Sequence, residues 1–194
     1  MYRYPRLPAA LTYAAEAHSR QVRKGTDIPY VSHPIGVASL VLEHGGDEDQ
    51  AIAALLHDVL EDCGAEHEQP IRAAFGERVA AMVLDCTDGV PDGGGAQAPR
   101  RDRKLAYLRH LETVDAAPLL VSACDKLHNA RAIASDAAAG QDVFVRFKAG
   151  REGTLWYYGS LVEVIGRRLG EGHPLALELA GAVARMSAAY TNQA

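Results

Sequence analysis

The chain has 194 residues, of which 48% are hydrophobic and 23% are charged, and its formal net charge at pH 7 is −5. This length suits one domain that buries roughly 70% of its unfolded surface, and the composition excludes the disordered and fibrous classes. The negative charge argues against nucleic acid or an anionic membrane as the main partner and favours a small-molecule substrate.

Targeting and redox signals are also informative. No stretch combines a basic start with the apolar core of a signal peptide, and none reaches the ~20 apolar residues of a membrane span. The three cysteines, at positions 63, 86 and 124, form no CxxC pair, so the sequence predicts neither a disulfide framework nor a cysteine zinc site. We therefore predict a cytoplasmic protein.

Hydrophobic periodicity predicts a succession of helices in the first half of the chain. Three long patterns come first: "LPAALTYAAEAHSRQ", "HPIGVASLVLEHGG" and "DEDQAIAALLHDVLEDCG". Pro34 suits the first turn of the second pattern, and Gly64 suits the end of the third. A short helix at about residues 70–75 and another from Glu77 to about Cys86 are predicted next.

A glycine- and proline-rich stretch, "DGVPDGGGAQAP" at residues 88–99, predicts a loop, because no strand and GK[ST] pattern accompanies its glycines. Helical patterns then resume at "RDRKLAYLRHLE", "PLLVSACDKLHNARAIASDAAAG", "EGTLWYYGSLVEVIGRRLG" and "HPLALELAGAVARMSAAY". No alternating strand pattern competes with them. We predict an all-α bundle in one domain over residues 1–194, with a core at about residues 9–170 and a C-terminal helix to about residue 190.

The third helical pattern carries a cluster of polar residues. At about 100° per residue, Glu61, Asp58 and Asp62 fall about 40°, 100° and 140° from His57, so the four share one side of a helix. A solvated helix face usually includes lysine or arginine, whereas these carboxylates repel one another. A divalent transition metal would relieve the repulsion, and imidazole with carboxylate is a suitable ligand set.

Two further residues are candidate ligands. His33, in "PYVSHPIGV", precedes a helical pattern, and Asp125 lies inside the apolar pattern "SACDKLHNARA". Taken singly, His33 could be a capping or core histidine, and Asp125 could be an ion-pair partner of Lys126 or a nearby arginine. The residues alone leave both interpretations open.

The motifs together resemble a known family. The segments "RKG", "PYVSHP", "HD" with "ED" after it, and "DKLHNAR" occur in this order. They resemble the HD-domain hydrolases of the RelA/SpoT type, in particular the stand-alone small alarmone hydrolases related to metazoan SpoT homologues. The resemblance covers roughly residues 9–165, includes no synthetase domain, and implies an all-α HD-domain helical bundle in a single domain.

The resemblance also implies the site. It implies one metal ion, usually manganese with other divalent metals possible, bound by His33, His57, Asp58 and Asp125. Glu61 and Asp62 match the pair that handles the attacking water, while the other histidines, His18 among them, match no ligand position. The residues implied to bind the nucleotide are Arg23, Lys24, Asn129, Arg131, Lys148 and Arg151.

The implied reaction is hydrolysis that releases pyrophosphate from the ribose 3′-oxygen of guanosine tetra- or pentaphosphate. The chain departs from the family in its loop at residues 88–99, which lacks lysines and leaves Arg100, Arg101 and Lys104 as the nearest substitutes. Other substrates stay open: an adenosine alarmone, the 2′-phosphate of NADPH or a deoxynucleotide. A non-catalytic nucleotide-binding regulator is a further alternative, and the oligomeric state is not predicted.

Overall fold

The structure, a computed structural model, describes residues 4–87 and 100–191. In these residues the only extended pairing is an isolated antiparallel bridge between Val22 and Pro29, which confirms the all-α prediction. The predicted loop at residues 88–99 lies outside the described residues. The helices are α1 (Leu7–Ala17), α2 (Ser32–Glu43), α3 (Glu48–Leu56), α4 (Val59–Asp62), α5 (Glu68–Phe75), α6 (Glu77–Cys86), α7 (Arg100–Thr113), α8 (Ala116–Ala138), α9 (Gly150–Leu169) and α10 (Pro174–Thr191), with short 3₁₀ helices at Ala65–His67 and Val143–Arg146.

The third helical pattern forms two helices, so the prediction of one continuous helix is wrong. Helix α3 ends at Leu56, and His57 and Asp58 form a turn before α4 begins. Both turn residues keep right-handed backbone angles. The His57 imidazole hydrogen-bonds the Ala54 carbonyl, which the Asp58 backbone N–H would use in an uninterrupted helix. The side chain thus competes with the helix where the metal ligands were predicted.

The chain divides into two compact units, and the first ends at Ser122. Its centre is α3, where every residue from position 50 to position 56 is buried. A helix that is apolar all round needs neighbours on every side, and α3 packs against α1, α2 and α6. An N-terminal capping box formed by Asp47 and Gln50 fixes where α3 begins.

The second unit begins at Ala123, within α8. Here α9 packs against α10, and the buried side chains include Leu161, Ile165 and Leu179. None of the helices in the described ranges has the length and hydropathy to cross a membrane. The organisation of the whole chain as one domain stays a prediction.

Candidate active site

Three predicted ligands lie together in the first unit. His33 is in the first turn of α2, and His57 and Asp58 form the turn between α3 and α4. One ligand atom from each lies within 4.8 Å of the other two. The Nε2 atoms of His57 and His33 are 3.1 Å and 3.4 Å from Asp58 Oδ2. Residues that are far apart in sequence therefore form one cluster of two imidazoles and a carboxylate.

The orientation of the imidazoles suits a metal ion. His57 Nδ1 is 2.8 Å from the Ala54 carbonyl oxygen, so Nδ1 carries the hydrogen and Nε2 presents its lone pair to the cluster. The side chains of His33 and His57 are only 1% and 2% exposed, while that of Asp58 is 20% exposed. A buried pair of histidines beside a partly exposed carboxylate fits a divalent transition metal that is reached from one side.

A tyrosine supports the carboxylate of this cluster. The Tyr30 hydroxyl donates a 2.6 Å hydrogen bond to Asp58 Oδ2, and the Tyr30 ring meets the His33 ring edge-on, with centroids 5.8 Å apart. The Arg23 guanidinium carbon lies 5.8 Å from the centroid of the same ring, which is within the range of a cation–π contact. Tyr30 thus joins the predicted nucleotide-binding Arg23 to the predicted metal ligands.

The two predicted catalytic acids, Glu61 and Asp62, are exposed on α4, shortly after His57 and Asp58 in the sequence. Asp62 Oδ2 accepts a 2.8 Å hydrogen bond from Gln21 Nε2. Cys63, the next residue, lies in a negatively charged environment. Burial raises the pKa of its thiol, and the negative charges of Asp62 and Asp58 raise that pKa further. The thiol therefore stays protonated near neutral pH.

Asp125, the predicted fourth ligand, belongs to the second unit and is 5% exposed. Its Oδ2 accepts from Lys126 Nζ at 2.7 Å, and its Oδ1 accepts from Asn129 Nδ2 at 2.6 Å. The ion pair with Lys126 that the sequence left open is present, and each oxygen of this buried carboxylate accepts a hydrogen bond from a side chain. The assignment of Asp125 to the metal remains a prediction.

The cations predicted to bind substrate have varied surroundings. Lys24, Lys148 and Arg151 are exposed. Arg131 instead forms an ion pair with Glu178 of α10 and lines a cavity between α8 and α10. Arg101 is exposed and Lys104 is half-buried, while the side chain of Arg100 lies outside the described residues.

Sequence reasoning missed three residues around the site: His18, Gln21 and Tyr30. Tyr30 was quoted only as part of the "PYVSHP" motif, and His18 was given no role. Only their position in the sequence could have indicated a role, because all three lie within a few residues of the predicted nucleotide-binding segment "RKG". Their hydrogen bonds depend on how the segment between α1 and α2 folds back, which helical periodicity does not report.

The chain is similar to known proteins in sequence. The family model described as "HD domain" matches residues 10–155. The guanosine-3′,5′-bis(diphosphate) 3′-pyrophosphohydrolase MESH1 of Xenopus tropicalis is 37% identical over 125 residues, which cover 63% of this chain and 66% of that protein. The bifunctional (p)ppGpp synthase/hydrolase SpoT of Escherichia coli K12 is 33% identical over 136 residues, which cover 67% of this chain and 18% of that protein. The chain therefore matches just under two thirds of the MESH1 protein and under a fifth of SpoT.

The fold of the chain is similar to those of two solved structures. One described as a metazoan orthologue of SpoT that hydrolyses ppGpp has a TM-score of 0.75 and 26% identity, covering 94% of this chain and 96% of the other. A protein of Listeria monocytogenes EGD-e has a TM-score of 0.66 and 28% identity, covering 78% and 96%. Both likenesses extend over most of the chain.

Proposed function

Because the chain belongs to the HD domain family, we propose that it is a metal-dependent phosphohydrolase that removes the 3′-pyrophosphate from guanosine tetra- and pentaphosphate. The observation that carries the proposal is the cluster of His33, His57 and Asp58, with Glu61 and Asp62 directly after it on α4. Water is consumed, and the products are pyrophosphate with GDP or GTP. The names of the MESH1 relative and of the SpoT-like structure support this choice of substrate.

The metal that we propose is a single manganese ion, with other divalent metals as substitutes. His33, His57 and Asp58 would hold it, with Asp125 as the fourth ligand. When bound, such an ion makes water a stronger nucleophile at neutral pH and offsets negative charge on phosphoryl oxygens. The carboxylates of this ligand set suit manganese, while its imidazoles also suit zinc, iron and nickel, which are the substitutes to test.

The acids of α4 would manage the proton of the attacking water. Either Asp62 or Glu61 accepts that proton while the water oxygen bonds to the phosphorus next to the ribose 3′-oxygen. The bond from this phosphorus to the 3′-oxygen breaks, the 3′-oxygen takes a proton from solvent to become the hydroxyl, and the carboxylate returns its proton to solvent. Both carboxylates are exposed, which lets them reach a substrate, and general base catalysis of this kind contributes roughly 10²–10⁴ in rate.

The nucleotide would be held by cations and one amide. Arg23, beside Tyr30, would stack on the purine, and the exposed Lys24 would contact phosphate. Asn129 is proposed beside the ribose. Arg131, Lys148 and Arg151 are proposed as further phosphate contacts, of which Arg131 would exchange its ion pair with Glu178. A cytoplasmic location belongs to the same proposal, since the three cysteines are free thiols.

Variants at the metal cluster and at α4 test this division of roles. With manganese and guanosine tetraphosphate, Asp62→Asn or Glu61→Gln should keep the metal but lower kcat by roughly 10²–10⁴. His57→Ala should lose both the metal and the activity. Glu66→Gln, at a neighbouring exposed acid, is the matched control and should keep both.

Metal content by atomic spectroscopy and product identity by phosphorus NMR are the measurements. An equal fall of metal content in His57→Ala, Asp62→Asn and Glu61→Gln would show that ligand and base are not separate. Release of single phosphate in place of pyrophosphate would contradict the proposed bond cleavage.

A further inference from the structure

A line of side chains connects buried His18 to the exposed carboxylate of Asp62. His18 Nδ1 lies 2.7 Å from Gln21 Oε1, and Gln21 Nε2 lies 2.8 Å from Asp62 Oδ2. An ionised carboxylate only accepts hydrogen bonds, so the amide nitrogen of Gln21 must face Asp62. The amide oxygen then faces His18, and Nδ1 must carry the hydrogen that it donates. One consistent set of donors and acceptors thus runs from the imidazole to the carboxylate.

Cys63 is consistent with the same assignment. Its Sγ lies 3.6 Å from His18 Nδ1 and donates towards the Ala17 carbonyl oxygen at 3.5 Å. Burial raises the pKa of this thiol, so the S–H hydrogen is present to be donated to Ala17. Nothing at this position therefore requires His18 Nδ1 to be an acceptor.

The two ends of this line differ in rigidity. The side chain of His18 is buried, at 2% exposed, and its ring lies against the Tyr30 ring with centroids 4.8 Å apart. The backbone of Gln21 is fixed on both sides, by its N–H to the His18 carbonyl at 3.0 Å and by its carbonyl to the Tyr30 N–H at 2.9 Å. Asp62, in contrast, is exposed on a four-residue helix. The buried end therefore restrains the exposed end.

One oxygen of Asp62 is left for chemistry. Gln21 is the only described residue whose hydrogen bond reaches the Asp62 side chain, and it uses Oδ2. A general base needs one oxygen within reach of the water proton and a fixed orientation of the carboxylate, because misplacement by about 1 Å can cost about 10²-fold in rate. The Gln21 contact supplies the orientation without occupying Oδ1.

We propose that Gln21, itself oriented by His18, is a positioning residue that holds the Asp62 carboxylate for proton transfer. The inference rests on the proposed phosphohydrolase function and adds to it a role for two residues outside the metal and nucleotide contacts. In this proposal Gln21 affects kcat only through Asp62. Its effect on kcat should therefore disappear when the Asp62 carboxylate is removed, whereas an effect on stability would not.

A double-mutant cycle on manganese-loaded protein tests the proposal. Gln21→Glu keeps the shape of the side chain and an acceptor for His18, but replaces the donor to Asp62 with a second carboxylate. It should lower kcat for guanosine tetraphosphate by about 10- to 100-fold, with KM, metal content and melting temperature close to those of the wild type. In an Asp62→Asn background, where the carboxylate that Gln21 would hold is already absent, Gln21→Glu should lower kcat by less than about twofold.

If Gln21→Glu lowered kcat by the same factor in the wild-type and Asp62→Asn backgrounds, Gln21 would act independently of Asp62. If kcat were unchanged in Gln21→Glu, Gln21 would have no role in the reaction. Either result overturns the proposal. His18→Phe keeps a ring against Tyr30 but removes the Nδ1 donor, so it should lower kcat less than Gln21→Glu does and add nothing to it.

If the wild type does not hydrolyse guanosine tetraphosphate, the proposed function is contradicted, but the contact between Gln21 and Asp62 is not. The positioning contact is then judged without activity, from the side-chain amide protons of Gln21 in nitrogen-15 NMR spectra. Their exchange with solvent should be slow in the wild type and fast in Asp62→Ala. Fast exchange in the wild type would overturn the contact itself.

Discussion

Three side chains approach a single atom at the centre of the site, Oδ2 of Asp58. They are the Tyr30 hydroxyl at 2.6 Å and the Nε2 atoms of His57 and His33 at 3.1 Å and 3.4 Å. A donor that orients a ligating carboxylate typically changes metal affinity by about 10- to 100-fold, because it fixes the orientation of the ligand. The Tyr30 hydroxyl is therefore the contact outside the ligand set to which the proposed metal affinity should be most sensitive.

Removal of this hydroxyl should weaken the metal site without unfolding it. We expect Tyr30→Phe to lower manganese affinity by about 10-fold or more, because the ring still packs against His18 and His33 while Asp58 loses its donor. Isothermal titration calorimetry against a competing chelator measures the change. Tyr13→Phe is the matched control, since it removes a 2.7 Å contact to His67 Nδ1, and it should leave the affinity unchanged. Equal affinities in the two variants would mean that Asp58 is oriented without Tyr30.

At the scale of helices, the sequence predicted those that end at strong punctuation. Helix α6 occupies Glu77–Cys86 as predicted, because Gly76 with its positive φ separates it from α5. The break between α3 and α4 was not predicted, since no glycine or proline marks it. It coincides with a contact from a side chain to the backbone, from His57 to Ala54, and periodicity contains no information about such contacts.

The candidate site was predictable where its residues interrupt an apolar pattern or belong to a motif of the family that the chain resembles. His57, Asp58, Glu61 and Asp62 were found because four polar side chains interrupt an apolar pattern. Gln21 and Tyr30 were not found, because their roles depend on a fold-back of the chain closed by hydrogen bonds such as that from the Arg23 N–H to the Ile28 carbonyl, 2.8 Å long. Neither polarity nor spacing distinguishes these two residues from ordinary loop residues.

The beginning of α3 carries an ion-pair group that should make stability depend on pH. Arg78 of α6 hydrogen-bonds Asp47 at 2.7 Å and Asp49 at 2.8 Å. Burial alone would raise the pKa of both carboxyls. Hydrogen bonds and positive charges outweigh this effect and lower the pKa of each carboxyl below its ordinary value. At Asp47 they come chiefly from Arg78, and at Asp49 from Arg6 and Arg78. A lowered pKa gives stabilisation that is complete above the unfolded value of about 4 and is lost as the pH falls through the folded value.

Loss of Arg78 should therefore lower the thermal stability of the protein at neutral pH but not in acid. Arg78→Gln is expected to lower the melting temperature by about 1–4 °C at pH 7, in keeping with partly exposed ion pairs. The difference from the wild type should shrink as the pH falls below about 4. Thermal unfolding followed by circular dichroism between pH 2 and pH 7 measures it. Arg185→Gln, at an exposed arginine of α10, should show no such dependence, and a difference for Arg78→Gln that is constant with pH would contradict the assignment.

For the whole molecule, the net charge of −5 has to be reconciled with the proposed substrate, which carries several phosphates. An evenly negative surface would repel such a substrate, so the cations that bind it should be concentrated near the site. Arg23, placed over the Tyr30 ring, is the candidate that the described geometry links, through the Tyr30 hydroxyl, to the Asp58 carboxylate. Its proposed contact is with the base and not with the bond that breaks.

Arg23→Ala should consequently raise KM for guanosine tetraphosphate more than it lowers kcat, since it removes a contact that is made equally before and during the reaction. Steady-state kinetics with manganese gives both constants. Arg109→Ala, at an exposed arginine of α7, is the control and should change neither. A fall in kcat with KM unchanged would place Arg23 in the reaction step.

The central claim is tested most directly by a comparison of nucleotides on the manganese-loaded protein. Guanosine tetraphosphate, its adenosine counterpart, NADPH, deoxynucleoside triphosphates and 5′-monophosphates are incubated at equal concentrations, and kcat/KM is obtained from product release. We predict that guanosine tetraphosphate is hydrolysed fastest, with pyrophosphate and GDP as products, and that nucleotides without a 3′-phosphate are poor substrates. Hydrolysis of deoxynucleotides, 5′-monophosphates or NADPH at the same rate or faster would contradict the alarmone assignment.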